Sequence, residues 1–255
     1  MAQVLEVHEL FKSFGGVEAV KNLSFDLSEG QLLAMIGPNG AGKSTCFNLI
    51  NGQLQPDFGN VFIRGKKING YQPRQVWKLG VGRTFQITST FASMTVLENV
   101  KMAMLSYHQQ TRSLFSRVRK LYSEESMELL KLVGIEDQHD RACGVLAYGD
   151  LKRVELAVAL ANKPRLLLMD EPTAGMGSAE SQTLMVLTSD IVRTRNIGVL
   201  FTEHDMDVVF THADRIIVLN RGELVAEGTP EEVRNNPKVQ EIYLGTGVRS
   251  TGHGA

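Results

Sequence analysis

Residues 37–45 read GPNGAGKST and follow the apolar run QLLAMI. Glycines at 37, 40 and 42 let the backbone wrap closely enough for successive N–H groups to face phosphate oxygens. The helix opening near Lys43 aims its positive end at the same point. Gly37, Pro38, Asn39, Gly40, Ala41, Gly42 and Thr45 shape this cradle. Lys43 is placed to reach the β- and γ-phosphates of a nucleotide, and Ser44 to put a hydroxyl on Mg²⁺. Strand, loop and helix in this order are the setting a Walker A loop requires. Further along, LLLMDE (166–171) ends an apolar strand in two acids. Such strand ends bring carboxylates to the carboxyl edge of a sheet, where ligands of these folds bind. Asp170 suits Mg²⁺, through a water, and Glu171 suits polarising a water aligned on the γ-phosphate. Alone, the acidic stretch also describes ordinary strand ends; beside the glycine-rich loop it forms the second half of a triphosphate site.

These groups work together only if a sheet delivers them to one edge. After Pro164, RLLLMD, NIGVLFTE and ADRIIVLNRGELVAEG read as strands, with SAESQTLMVLTSDIVRTR and DMDVVFTH as helices between them. Continuous apolar strands alternating with helices predict a parallel sheet covered on both faces. Earlier in the chain, VLEVHEL, AVKNLSFDLSEG and QLLAMIG read as strands, several of them antiparallel. KSTCFNLINGQ is helical in period, and GNVFIRGKKI returns to strand character. Between Gln86 and Ala161 the apolar residues fall three and four apart, which predicts a helical lobe inserted into the sheet domain.

The 255 residues suffice for one large α/β domain, and 43% hydrophobic with 22% charged residues excludes a disordered chain. A formal net charge of −1 provides no global field for nucleic acid. The locally basic QQTRSLFSRVRKLY (109–122) reads as a solvated helix or loop. Two cysteines, Cys46 and Cys143, are too few for a disulfide framework and fit a reducing compartment. The N-terminus lacks the basic-then-apolar profile of a signal peptide. The longest apolar runs fall far short of the roughly 20 residues that span a bilayer. A soluble chain is expected, attached to any membrane through a partner.

With these pieces placed, the chain resembles the nucleotide-binding subunit of ABC transporters over nearly its full length. The resemblance implies a P-loop NTPase core of mixed sheet with an antiparallel β subdomain, residues 1–86 and 162–255, interrupted by a helical signature subdomain, 87–161. It implies ATP and Mg²⁺ as ligands. Gln86 in GRTFQ matches the Q-loop, whose role in the family is to touch Mg²⁺ or the attacking water and report to the lobe. LAYGD (146–150) occupies the signature position, usually LSGGQ, so Ala147, Tyr148 and Gly149 are expected to face the ATP of a second subunit. AGMG (174–177) stands at the D-loop. His204 in FTEHDM matches the H-loop, where it bonds the γ-phosphate and holds Glu171; a lone His at a strand end is otherwise more often just exposed. Phe14 in FKSFGG is placed like the aromatic that stacks on adenine, with a core or loop aromatic as the competing reading.

In this family two subunits, identical or different, sandwich two ATP molecules, and the helical lobe docks on membrane permease subunits. That places the chain peripherally at the cytoplasmic face of the inner membrane, with no nucleic-acid partner. LAYGD, FGGVEAV and the ending VAEGTPEEVRNNPKVQEIYLG are similar to ATP-binding subunits of branched-chain and hydrophobic amino-acid importers. Urea and amide importers and the lipopolysaccharide-export ATPase share this build and remain alternatives. From another class, ABC ATPases of DNA repair carry long coiled-coil insertions and those of translation carry two ATPase halves; this sequence has one P-loop and no sustained heptad run.

Two positions depart from the family pattern. Ala147 removes a hydroxyl that contacts the γ-phosphate across the dimer, a loss of about 0.5–1.5 kcal/mol for a neutral hydrogen bond. Gly149 and the helix start retain N–H groups for an anion, and Asp150 is expected to cap or flank that start. Gly177 falls where a D-loop Asp ordinarily ties the two sites together, so hydrolysis is expected to survive with reduced cooperativity. Ala147→Ser should strengthen ATP-driven subunit association about two- to tenfold by sedimentation, and the ATP Hill coefficient of the assembled transporter should lie well below two.

Overall fold

The first two strands, β1 (Gln3–Phe14) and β2 (Val17–Ser28), meet at a Gly15-Gly16 turn in which both residues have positive φ. They are followed by β3 (Leu32–Ile36), α1 (Lys43–Ile50), β4 (Phe58–Ile63), β5 (Lys66–Lys67), α2 (Pro73–Lys78) and β6 (Val81–Thr84). Among the described residues, α3 (Val96–Tyr107), α4 (Ser123–Leu132) and α5 (Tyr148–Leu160) come next. The chain then alternates through β7 (Leu166–Asp170), α6 (Ser178–Arg195), β8 (Gly198–Thr202), α7 (Met206–His212), β9 (Arg215–Asn220) and β10 (Glu223–Gly228). The described residues close with α8 (Pro230–Arg234) and α9 (Pro237–Leu244). This computed structural model describes residues 2–84, 90–108 and 122–244, so the basic stretch 109–122 lies outside it apart from Tyr122.

The strands form an antiparallel sheet, β2-β1-β4-β5, and a mixed sheet, β10-β9-β3-β8-β7-β6. In the mixed sheet only β10 runs antiparallel to its neighbour. Alternate residues of its strands enter two separate cores. Leu33, Met35, Leu200 and Ile217 face the antiparallel sheet and α1, while Leu32, Ala34, Phe201 and Ile216 face the helices. Burial on both faces explains why LLAMI, RLLLM and GVLFT read as unbroken apolar runs.

Helices α3, α4 and α5, of the kind the three-and-four periodicity predicts, pack on one another. Thr95 and Glu98 form a capping box that starts α3. The segment before α3 pairs with the segment leading to α5: Val96 N–H donates to Arg141 O, Cys143 N–H to Met94 O and Gly144 N–H to Ala92 O, each within 3.0 Å. Asn99 pins this junction. It is 4% exposed. Its Oδ1 accepts from Phe91 N–H at 2.8 Å, and its Nδ2 donates to Thr95 O at 2.9 Å.

The periodicity of the sequence did not single out α2, nor did it assign α8 and α9, which are short and begin at prolines. Asn99→Leu keeps the volume but orphans the Phe91 N–H. It should cost about 1–3 kcal/mol in urea denaturation and raise amide exchange at residues 91–95.

Candidate functional site

The order β3-β8-β7 places three parallel strands side by side, with their carboxyl ends at one edge. The glycine-rich loop leaves β3 there, Asp170 ends β7 and His204 follows β8. Asn39, Gly40, Ala41, Gly42, Lys43, Ser44 and Thr45 line one open cleft of about 280 Å³ together with Glu171 and His204. The cleft is a built feature of the backbone. A Cβ on Gly42 would collide with the Ala19 carbonyl oxygen, and Gly42 also has φ of 104°, so only glycine fits where α1 begins. No side chain caps α1, which leaves its first N–H groups to an anion.

Lys43 is 8% exposed, and its ammonium donates to Gly37 O at 2.6 Å and Pro38 O at 3.2 Å. Burial pushes its pKa down, against the pull of the Glu171 and Asp170 charges, so the amine lies within electrostatic reach of both acids. At the end of β7, Asp170 Oδ1 accepts from the Thr202 hydroxyl at 2.8 Å, and its Oδ2 stands 3.7 Å from Arg83 Nη2. Burial lowers the Arg83 pKa and the Asp170 charge opposes that shift.

Glu171 has φ of 51°, in the left-handed region that a side chain seldom adopts. Its N–H donates to Thr202 O and to Thr202 Oγ1, both at 3.1 Å. One carboxylate oxygen lies 2.8 Å from His204 Nε2. The pair expected from the H-loop match is therefore in contact, across the ends of β7 and β8.

Other expected residues fall elsewhere. Gln86 lies outside the described residues. Phe14, opposite Val17 at the end of β1, is 46% exposed and does not line the cleft; Ala19 does. Lys12 Nζ lies 5.4 Å from the Phe14 ring centroid. Ala147 and Gly149 line a separate cleft with Met176 and Glu180, so within one chain the signature and the phosphate loop do not meet. Ala147 is the N-cap of α5 and makes no side-chain cap, while Asp150 sits in the first turn. Asp150 thus flanks the helix start without capping it. The Tyr148 ring lies against Gly175: a Cβ there would stand 3.4 Å from Tyr148 Cε1. Gly177 is the N-cap of α6 in extended conformation.

Thr202, Thr173, Glu203 and Arg83 do not stand out from the sequence, although Thr202 and Glu203 lie within FTEHDM and Arg83 within GRTFQ. Tyr243 on α9 was missed as well. Burial pushes its pKa up to about 12, against a lowering influence of the Gly37 backbone, so α9 reaches the base of the phosphate loop.

The family profile described as ABC transporter matches residues 20–174, and that described as branched-chain amino acid ATP-binding cassette transporter matches 223–249. The fold, the phosphate loop and its paired acids define an ATP-binding cassette, and the chain belongs to the ABC transporter family. Within it, the chain is 39% identical over 252 residues to the high-affinity branched-chain amino acid transport ATP-binding protein LivG of Salmonella typhimurium, covering 95% of this chain and 98% of the relative. An ABC transporter cassette solved in its ADP conformation superposes with a TM-score of 0.84 at 29% identity, covering 96% of this chain and all of that one. A bacterial ABC transporter cassette solved as a dimer superposes at 0.75 and 28% identity, covering 89% and 98%.

Gly175 has φ of 81°. Gly175→Ala should cost about 1–2 kcal/mol by urea denaturation, from the left-handed backbone alone.

Proposed function

We propose that this chain binds Mg-ATP and hydrolyses it as one of a pair of ATPase subunits that power import of branched-chain or hydrophobic amino acids. The observation that carries the hydrolytic reading is the meeting of Glu171 and His204, 33 residues apart, at 2.8 Å on the wall of the phosphate-loop cleft. The transported class is supported by the likeness to LivG and by the match at residues 223–249.

In this reading Lys43 exchanges the Gly37 and Pro38 carbonyls for phosphate oxygens, and the uncapped N–H groups of α1 bind the remainder. Ser44 and Asp170 are oxygen donors of the kind Mg²⁺ takes beside phosphate and water, with Gln86 as a further ligand, and the Thr202 hydroxyl orients Asp170. When bound, the ion neutralises charge on the β- and γ-phosphates. Glu171 accepts a proton from the attacking water. The water oxygen bonds to the γ-phosphorus as the bond to the ADP oxygen breaks, releasing ADP and phosphate. His204 holds the Glu171 carboxylate in place. Phe14, exposed beyond the cleft wall, supplies a face for the base.

Because the signature and the phosphate loop are apart in one chain, Ala147, Tyr148 and Gly149 serve the nucleotide of a second ATPase subunit. The helical segment 87–161 acts as the subdomain that meets the permease, at the cytoplasmic face of the membrane. Closure works by differential affinity of nucleotide for the paired state. Among the described residues no helix is long and apolar enough to cross a membrane.

Glu171→Gln should bind Mg-ATP and dimerise while kcat falls by about 10²–10⁴. Lys43→Ala should instead lose nucleotide affinity. Near-normal turnover by Glu171→Gln would remove the general base. In proteoliposomes with the permeases, ATP should drive uptake of leucine and not of urea; the reverse would overturn the substrate class.

A further inference from the structure

A third carboxylate lies behind Asp170 and Glu171 and takes no part in the chemistry above. Glu203 stands between Thr202 and His204 and is 4% exposed. Its Oε1 accepts from Thr173 N–H at 2.8 Å and from the Thr173 hydroxyl at 2.6 Å. Its Oε2 accepts from the His204 N–H at 3.2 Å. Thr173, also 4% exposed, lies two residues beyond Glu171 and opens the segment that runs to Gly177. A buried carboxylate is costly unless hydrogen-bonded, and bonds to an ionised acceptor are the strong ones.

Backbone pairing of β7 with β8 ends at Asp170 and Thr202. Beyond it, residues 171–173 and 203–204 leave the sheet together, and Glu171 holds a left-handed φ of 51°. Such a conformation persists only where its surroundings over-determine it. Thr202 grips the near side of Glu171 through its N–H. Glu203 grips the far side through Thr173, and holds the His204 backbone with its other oxygen. Side chains thus continue the β7–β8 register past the point where the ladder stops.

We propose that Glu203 is a positioning residue for hydrolysis: it clamps the Glu171–Thr173 turn to the His204 backbone and so sets the His204–Glu171 contact. This rests on the ATPase reading, and it assigns Glu203 no contact with nucleotide. Disturbing the clamp should therefore slow turnover and leave nucleotide binding alone.

Glu203→Gln separates the two arms. The amide oxygen can still accept from Thr173, but the NH₂ then faces the His204 N–H, donor against donor. Thr173→Val removes the hydroxyl arm and keeps the backbone one. We expect kcat to fall about tenfold or more in Glu203→Gln and several-fold in Thr173→Val, with ATP affinity by fluorescent-nucleotide titration within twofold of the parent. The two losses should be less than multiplicative when combined, and the His204 ring ¹⁵N shifts should move in both variants. The clamp is overturned if a folded Glu203→Gln turns over within twofold of the parent, or if kcat and nucleotide affinity fall together. Thr173→Val carries the same test should Glu203→Gln fail to fold. If Glu171→Gln itself keeps hydrolysing, it is the ATPase reading that has failed, and the two failures are told apart.

Discussion

The site depends on β8 lying between β3 and β7. Its last residue, Thr202, faces both ways in function: its hydroxyl donates to Asp170 and accepts from the Glu171 N–H, while its backbone oxygen accepts from the same N–H. The phosphate loop rises from β3 on one flank and the two acids from β7 on the other. Strands about 4.8 Å apart bring these groups to one edge without long reaching side chains. Both faces of the sheet are buried, so a slip of one residue in any central strand would exchange the two cores and scatter the site.

Backbone constraint is concentrated at the phosphate loop and at the turn after β7. The loop admits only glycine where it passes the Ala19 carbonyl, and Glu171 sits in a strained conformation held from both sides. Local strain of this kind is stable because the surrounding strands, Thr202 and the buried Glu203–Thr173 bonds leave no alternative. The same economy extends to α9, where Tyr243 meets Gly37 at the foot of the loop.

The helical lobe is attached differently. Its entry, residues 91–97, is hydrogen-bonded to residues 139–144, which lead into α5. These bonds tie the start of the lobe to the segment that leads to the N-terminus of α5, where Ala147, Tyr148 and Gly149 stand. Tyr148 in turn rests on Gly175, in the segment that follows Glu171. Tyr148 of the signature and Gly175 after the second acid are thus packed against one another.

The phosphate loop, the apolar strands, the helical lobe and the pairing of two acids with Lys43 were legible in the sequence. Each is written in a local pattern: glycine spacing, apolar periodicity of two or between three and four, and acids at a strand end. The family match added His204 and the signature. Only the tertiary structure decided that β8 separates β3 from β7, that Glu171 adopts a left-handed backbone, and that Thr173 bonds Glu203 thirty residues away. It also sets the signature and the phosphate loop on separate clefts of one chain, as the family resemblance implies. The physical reason is that strand order and the contacts across it join residues far apart in the chain, and no local run of side chains encodes which strand will be its neighbour.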